Sequence, residues 1–265
     1  MNYYPNSKEA IQKTFLDFKN LSYEIQTEKW QGYDLKKLPG SRMREVYSTY
    51  LQFPTVRTRL EIYRKEIGPN LPWADDHFEE RVGGIPLNPG ETWKSWPWSN
   101  KADHSRRFEG KFSHTYMERY WPRTLEGERL KGLRFEYGDL NDLVSLLERE
   151  PNTRQAYLPI FFPEDTGAIH GDRIPCSLGY LFTHRSGYLH IHYAIRSCDL
   201  YRHFRDDVYM TIRLLFWVLE KLKERNPYWK KVKPGIFSMW IGSLHLFIND
   251  YNFIFKEKED EWKIG

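Results

Sequence analysis

Residues 174–199 read IPCSLGYLFTHRSGYLHIHYAIRSCD, and this stretch decides the fold. Two runs rich in aromatic and β-branched residues, Ser177 to Thr183 and Tyr188 to Ile195, flank HRSG, a short turn of hairpin type. The next long segment, Asp206 to Glu224, is apolar on most sides through Val208, Ile212, Leu215, Phe216 and Leu219, which predicts a helix buried against a sheet. Two further strands are predicted at IFSMW (236–240) and LHLFINDYNFIF (244–255). Upstream, Leu140, Leu143, Val144 and Leu147 recur at helical spacing until Pro151 and Asn152, and Gln155 to Phe162 reads as extended. The class is α+β: a largely antiparallel or mixed sheet with one long buried helix.

The first half differs. SKEAIQKTFLDFK (7–19) puts Ile11, Phe15 and Phe18 on one helical face behind a Ser7 cap. From Gly68 to Pro122, NLPW, GGIPLNPGETW and SWPWSN predict mostly irregular chain around a short helix at Asp75 to Val82. So long a loop region is usually functional or an insertion. The chain is read as a single domain over 1–265, with 1–122 a variable first half and 123–265 a catalytic core.

Composition narrows the function. With 40 Lys+Arg against 36 Asp+Glu, the net charge of +4 is no polyanion-binding tail, so direct nucleic-acid binding is not expected. Aromatic residues reach 17%, but they are spread through predicted strands and helices, where core packing accounts for most of them. Two cysteines make no disulfide framework, and MNYYPNSKEA lacks the basic region and apolar core of a signal peptide, so a reducing cytoplasm is expected. The apolar run Leu214 to Leu219, bounded by Arg213 and Glu220, is far short of a membrane span.

Three sites for chemistry stand out. Cys176 follows Pro175 at a strand start with Arg173 three residues before it, and a nearby guanidinium favours the nucleophilic thiolate. On local sequence alone a cysteine there reads first as a small buried apolar residue, and Cys198 fits that description better. RSCDLYRHFRDD (196–207) sets Arg196, Arg202 and Arg205 at a strand-to-helix junction, which suits either a phosphate or a solvated, salt-bridged loop. His190 and His192 share a strand face, with Cys198 and His203 further on, but two cofacial ligands make a poor metal site and no metal is expected. No GxGxxG, Walker loop or serine elbow is present.

Taken together, PNTR (151–154), IPCSLGYLF (174–182), YAIRSCDLY (193–201) and GIFSMWIGSLHLFIND (235–250), in that order and spacing, resemble the thymidylate synthase family. GSRMREV (40–46), NLPWADDHF (70–78) and HTYMERYWP (114–122) extend the resemblance weakly into the first half. The resemblance implies a homodimer through the sheet, and a cysteine thiolate that attacks carbon 6 of a pyrimidine nucleoside monophosphate. Carbon 5 then takes a one-carbon unit from the co-substrate 5,10-methylenetetrahydrofolate. It assigns the nucleophile to Cys176, and phosphate binding to Arg196, Ser197, Arg42 and Arg154, the last reaching in from a second subunit. It assigns Asp199 to the pterin and active-site water, Tyr116 to removal of the carbon 5 proton, and His245 to a sugar hydroxyl.

Departures from the family pattern carry the finer expectation. Thymidylate synthases have an Asn eleven residues after the arginine of RSCD; here that position is Asp207. A carboxylate only accepts, so it repels the uracil carbonyl and suits the amino group of cytosine beside a protonated ring nitrogen. This is the change that deoxycytidylate hydroxymethylases of the family carry. It implies dCMP as substrate, water capture and 5-hydroxymethyl-dCMP as product, and it points to a phage source and the host cytoplasm. A thymidylate synthase, a dUMP hydroxymethylase and a non-catalytic nucleotide-binding relative are the alternatives. HFRDD replaces the family's GxPFN, so Asp206 reads the base if the register slips by one. The sugar-contacting Tyr becomes Phe247, and one phosphate arginine becomes Gln155. The family's early catalytic Glu aligns with His77; Glu80, one helical turn on, supplies the carboxylate that a proton relay needs.

Overall fold

The computed structural model describes residues 3–30, 33–37, 41–102, 110–126, 129–132, 134, 137–166 and 174–257. In chain order the elements are α1 (Ser7–Leu21), β1 (Tyr23–Ile25), β2 (Lys29–Trp30), β3 (Tyr33–Asp34), β4 (Met43–Pro54), α2 (Leu60–Ile67), α3 (Trp73–Val82), α4 (Ser99–Ala102) and α5 (Tyr116–Tyr120). Then follow β5 (Thr124–Glu126), β6 (Arg129–Lys131), α6 (Leu140–Arg149), β7 (Tyr157–Pro159), β8 (Ser177–Arg185), β9 (Tyr188–Asp199), α7 (Phe204–Arg225), β10 (Lys233–Phe247) and α8 (Ile248–Asn252). Among the described residues no helix is long and apolar enough to cross a membrane.

Six strands form one mixed sheet in the order β1-β4-β10-β9-β8-β7. Only β9 and β10 run parallel, and a parallel pair needs a long crossover, which α7 provides. Val208, Ile212, Leu215, Val218 and Leu222 of α7 are fully buried in the core shared with the sheet. Each such side chain is worth about 1.5–3 kcal/mol relative to exposure. Residues directly paired across strands share a sheet face, so Leu51, Met239, Tyr193 and Tyr180 make one buried row and Phe53, Phe237, Ile191 and Phe182 the next. The opposite face carries Tyr50, Gln52, Trp240, His192 and Leu181, all half-buried. The β8–β9 turn places Ser186 and Gly187 at φ 52° and 79°, the left-handed pair of a tight hairpin turn.

Two expectations are corrected, and one strand is added to the sequence reading. The α1 cap is Asn6, whose side chain accepts from the Glu9 N–H at 2.9 Å, while Ser7 turns inward to bond Glu66. IFSMW and LHLF belong to one strand, β10, and the chain then turns helical at Ile248. Helical spacing of Tyr251 and Phe255 lets both rings pack on Phe18 of α1, at centroid distances of 6.4 and 6.3 Å, which an extended chain would not allow. Strand β4 escaped the sequence reading because its alternation breaks at Ser48, which has φ 56°: the register passes from Thr49–Ile241 to Tyr47–Ser243, so one residue on each strand is left over.

Candidate active site

Cys176 lies half-buried immediately before β8, held against β9 by the hydrogen bond from Arg196 N to its carbonyl, 2.9 Å. The Arg196 side chain folds back over the same segment. Its Nε donates to Pro175 O at 2.9 Å, and its Nη2 donates to Ile174 O at 3.1 Å and approaches Cys176 Sγ at 3.9 Å. Positive charge is thus fixed beside the sulfur. Arg173, the cation noted next to Cys176 in the sequence, lies outside the described residues.

A hydroxyl chain starts one residue on. Fully buried Ser177 hydrogen-bonds Tyr116 of α5 at 2.7 Å and Tyr193 of β9 through a shorter contact. Tyr193 stacks on Tyr180, centroids 4.7 Å apart. Burial, and next the charge of Asp207, push the Tyr116 phenol up, so at neutral pH it is a hydroxyl and not a phenolate.

The two aspartates at the start of α7 point to different partners. Asp206 is buried and accepts from Asn70 N at 2.7 Å and Asn70 Nδ2 at 2.8 Å. Asp207, half-buried, faces β9, where the Cys198 thiol donates to its Oδ2 at 3.6 Å. Burial, and then Asp206, push its carboxyl up to about 7 against the pull of Arg81. Asp207 can therefore hold or release a proton near neutral pH, and Asp206 is tied down by Asn70.

Glu80 and Asp199 are engaged by their own surroundings. The Glu80 carboxylate accepts from Glu91 N at 2.5 Å, Thr92 N at 3.3 Å and Thr92 Oγ1 at 2.5 Å, with His77 Nδ1 at 3.4 Å. Gly90 makes this clasp possible, since a Cβ there would fall 2.2 Å from the carboxylate. Burial opposes ionisation, yet His77 and the Thr92 and Glu91 donors outweigh it and hold Glu80 at about 2. That suits an anchor for the loop ahead of Trp93 better than a proton relay near pH 7. His77, pushed down to about 4 by burial and Arg81, is neutral at that pH and stacks on Trp73. Asp199, 2% exposed, accepts from Tyr201 N and Arg202 N at 2.9 Å and from Arg202 Nη1 at 2.7 Å. Burial raises its carboxyl, but Arg202 and His245 more than reverse that. It fixes the β9–α7 turn.

Replacing Glu80 by alanine leaves three donors, the two on Thr92 part-buried and the Glu91 N–H exposed, without their acceptor and is expected to cost about 1–2 kcal/mol at pH 7. Its contribution is present above the ordinary carboxylate value and lost as pH falls through about 2. Urea midpoints of the two proteins should differ at pH 7 and converge in acid; equal midpoints at pH 7 would refute the anchor role.

The remaining predicted residues separate. Ser197 is half-buried on β9 opposite Ser243, and buried His245 sits on β10 opposite Asp199, its imidazole pushed down by burial. Arg42 is an exposed residue that pairs with Glu24, and Arg154 is exposed in the turn after α6. Neither is drawn to Cys176 within one chain. His190 Nδ1 accepts from Ile236 N at 3.0 Å and His192 Nδ1 bonds Ser238 at 2.9 Å. Among the described residues no group of three or more His, Cys, Asp or Glu converges as a metal site would need.

Sequence reasoning missed Arg81, Ser177, Tyr120, Tyr180 and Tyr193. Arg81 had a readable signal: with Ala74 and Phe78 it falls at i, i+4, i+7, a charged residue on the apolar stripe of α3. The half-exposed rings Trp96, Trp98 and Tyr201 also gather near the β9–α7 turn. Trp96 stacks on His203 at 5.0 Å and Trp98 meets Tyr201 edge-on at 5.5 Å.

This architecture is the thymidylate synthase fold. The chain is similar to the solved structure of the thermostable thymidylate synthase A from Bacillus subtilis, with a TM-score of 0.63 and 15% identity over 93% of this chain and 83% of that one. No protein-family model matches the chain. The search of curated proteins also found no match.

Proposed function

We propose that the chain is a deoxycytidylate 5-hydroxymethyltransferase, which joins a one-carbon unit from 5,10-methylenetetrahydrofolate to carbon 5 of dCMP and adds water to give 5-hydroxymethyl-dCMP. The observation that carries this reading is the placement of Asp207 beside Cys198, with Asp206 diverted to Asn70. In the bound state Asp207 shares one proton with ring nitrogen 3 of cytosine and accepts from the amino group. Uracil offers in its place a weakly basic carbonyl oxygen, which an ionised carboxylate repels.

The residues divide the work. Cys176 Sγ forms a bond to carbon 6, and the electron pair displaced towards the ring is steadied by the proton that Asp207 holds at nitrogen 3. Carbon 5 bonds to the methylene as the methylene's bonds to the folate nitrogens break, the nitrogens taking up protons; Tyr116 accepts the carbon 5 proton as its own hydroxyl proton passes along Ser177 and Tyr193 and out to water. Water then adds its oxygen to the new carbon and releases a proton to solvent, the exocyclic double bond shifts back into the ring, and the carbon 6–sulfur bond breaks to return the Cys176 thiolate. Arg196 and Ser197 hold the phosphate with Arg42 and Arg154, and His245 meets the sugar. The folate supplies the one-carbon unit; the half-exposed Trp96, Trp98 and Tyr201 rings fit its planar head. Asp199 acts by holding the turn that carries Tyr201. A second copy covering the sheet face of Tyr50, Trp240 and His192 would complete a homodimer and bring Arg154 across.

Incubation with isotope-labelled methylenetetrahydrofolate and either dCMP or dUMP tests the proposal. The expected product is labelled hydroxymethyl-dCMP with tetrahydrofolate returned. Stoichiometric dihydrofolate would mean hydride transfer and a methylated product, and turnover of dUMP alone would remove the argument from Asp207.

A further inference from the structure

At the end of β8 remote from Cys176 the chain forms a second cleft. It encloses about 490 Å³ and is lined by His184, Gly187, Pro227, Tyr228, Lys231 and Val232. His184 stands eight residues along the strand from Cys176, roughly 26 Å at ~3.3 Å per residue, so the cleft and the thiol are separate places. The β8–β9 turn and the turn between α7 and β10 meet there, joined by the hydrogen bond from Lys233 N to Gly187 O at 3.0 Å.

His184 is the unusual residue of this cleft. It is 4% exposed, yet neither ring nitrogen has a hydrogen-bond partner, and among the described residues no other side chain has two such atoms. The Pro151 carbonyl lies to one side of the ring without closing a bond of ordinary geometry. The imidazole meets Tyr228 and Trp229 edge-on, at centroid distances of 5.8 and 5.1 Å, and the Nε1 of buried Trp229 is unpaired as well. Folds rarely bury polar atoms unpaired unless a bound molecule satisfies them. Burial, and next Arg185, push the His184 imidazole down, so near neutral pH it offers one N–H and one lone pair.

The surroundings are cationic. Lys231 lines the cleft, and Arg185, Lys230 and Lys233 each adjoin a lining residue in the chain. All four are exposed, none is in an ion pair among the described residues, and neither 184–198 nor 226–249 contains Asp or Glu. The cations at the end of α7 differ: Lys221 pairs with Glu224 at 2.9 Å, Lys223 with Glu220 at 3.1 Å and Arg225 with Glu148 at 3.9 Å. Tyr228, 51% exposed, adds an open aromatic ring.

We infer that this cleft is a second binding site, for a nucleoside polyphosphate whose base stacks on Tyr228 and pairs by its polar edge with His184 while the phosphates lie against Lys231 and its cationic neighbours. An inorganic anion would leave His184 and Tyr228 unused, and an apolar ligand would leave the lysines unused. Every base has a face that stacks on an aromatic ring, so the phosphate chain and the polar edge decide what binds. The site stands whether or not Cys176 is the nucleophile.

NMR of the full chain titrated with dCTP resolves this cleft from any other place of binding. The Gly187 and Lys231 amides and the His184 ring should shift, half-saturating below about 1 mM dCTP. Deoxycytidine should leave them unmoved, and tripolyphosphate should bind about tenfold more weakly than dCTP. His184→Phe keeps the ring packing and removes both nitrogens; it should weaken dCTP about tenfold without lowering the urea midpoint. Lys231→Glu should weaken it at least as much. Tripolyphosphate binding as tightly as dCTP overturns the proposal, as do unmoved signals at Gly187 and His184 or dCTP binding unchanged in both variants. Should His184→Phe not fold, Lys231→Glu at its exposed position makes the comparison alone.

Discussion

Cys176→Ala is expected to lower turnover by ~10⁴-fold or more while leaving nucleotide binding within a few-fold of wild type. The separation of the two effects follows from the site. Arg196 is held by the carbonyls of Pro175 and Ile174, and its backbone N–H bonds the carbonyl of Cys176, so truncating the side chain to Cβ leaves the arginine where it is. What disappears is the sulfur, and with it the covalent route to carbon 6. Isothermal titration with dCMP, run beside the labelled-product assay, measures both quantities. Retained turnover would remove Cys176 as nucleophile, and lost binding with retained stability would mean that the thiol serves recognition instead.

Asp207→Asn should exchange base preference, moving the ratio of dCMP to dUMP turnover by ~10²–10⁴ towards uracil. An amide in the same place donates to the uracil carbonyl and accepts from its ring N–H, and it has no proton to share with cytosine. The same change should stabilise the free protein in alkali. The folded-state carboxyl stands at about 7, above its unfolded value, so the ionised group is a growing burden as pH rises from the ordinary carboxylate range through about 7. Half-burial trims the full linkage value, and a gain of about 1–3 kcal/mol at pH 8 is expected, vanishing near pH 3. Urea unfolding at the two pH values tests this; a variant no more stable at pH 8 than wild type would show that Asp207 is ionised without cost.

The second half of the fold was legible because its segments obey single periods. The alternation of Leu189, Ile191, Tyr193 and Ile195 announces β9, and the apolar surround of Val208, Ile212 and Leu215 announces a buried α7. Strand β4 was not legible, since its backbone irregularity at Ser48 shifts the pattern by one, and the last segment was misread because Tyr251 and Phe255 satisfy either a strand or a helix until α1 is there to receive them. The candidate site divides in the same way. Cys176, Arg196 and Asp207 could be found from local motif and spacing. The local bonds of Glu80 to Thr92 and of Asp199 to Arg202 could not, because they depend on where a loop and a turn place backbone N–H groups. The tyrosines that bond Ser177, Tyr116 of α5 and Tyr193 of β9, share no sequence neighbourhood with each other.

The path from β9 through α7 to β10 has a further implication. Arg196 and the segment of Cys176 are fixed by strand pairing, whereas Asp207 stands on the opening turn of a helix that Phe204, Val208 and Ile212 hold in the core. On the roles proposed above, bond-making and base choice are mounted on separate supports. With those roles, one substitution on that opening turn would revise which pyrimidine is accepted without rebuilding the sheet.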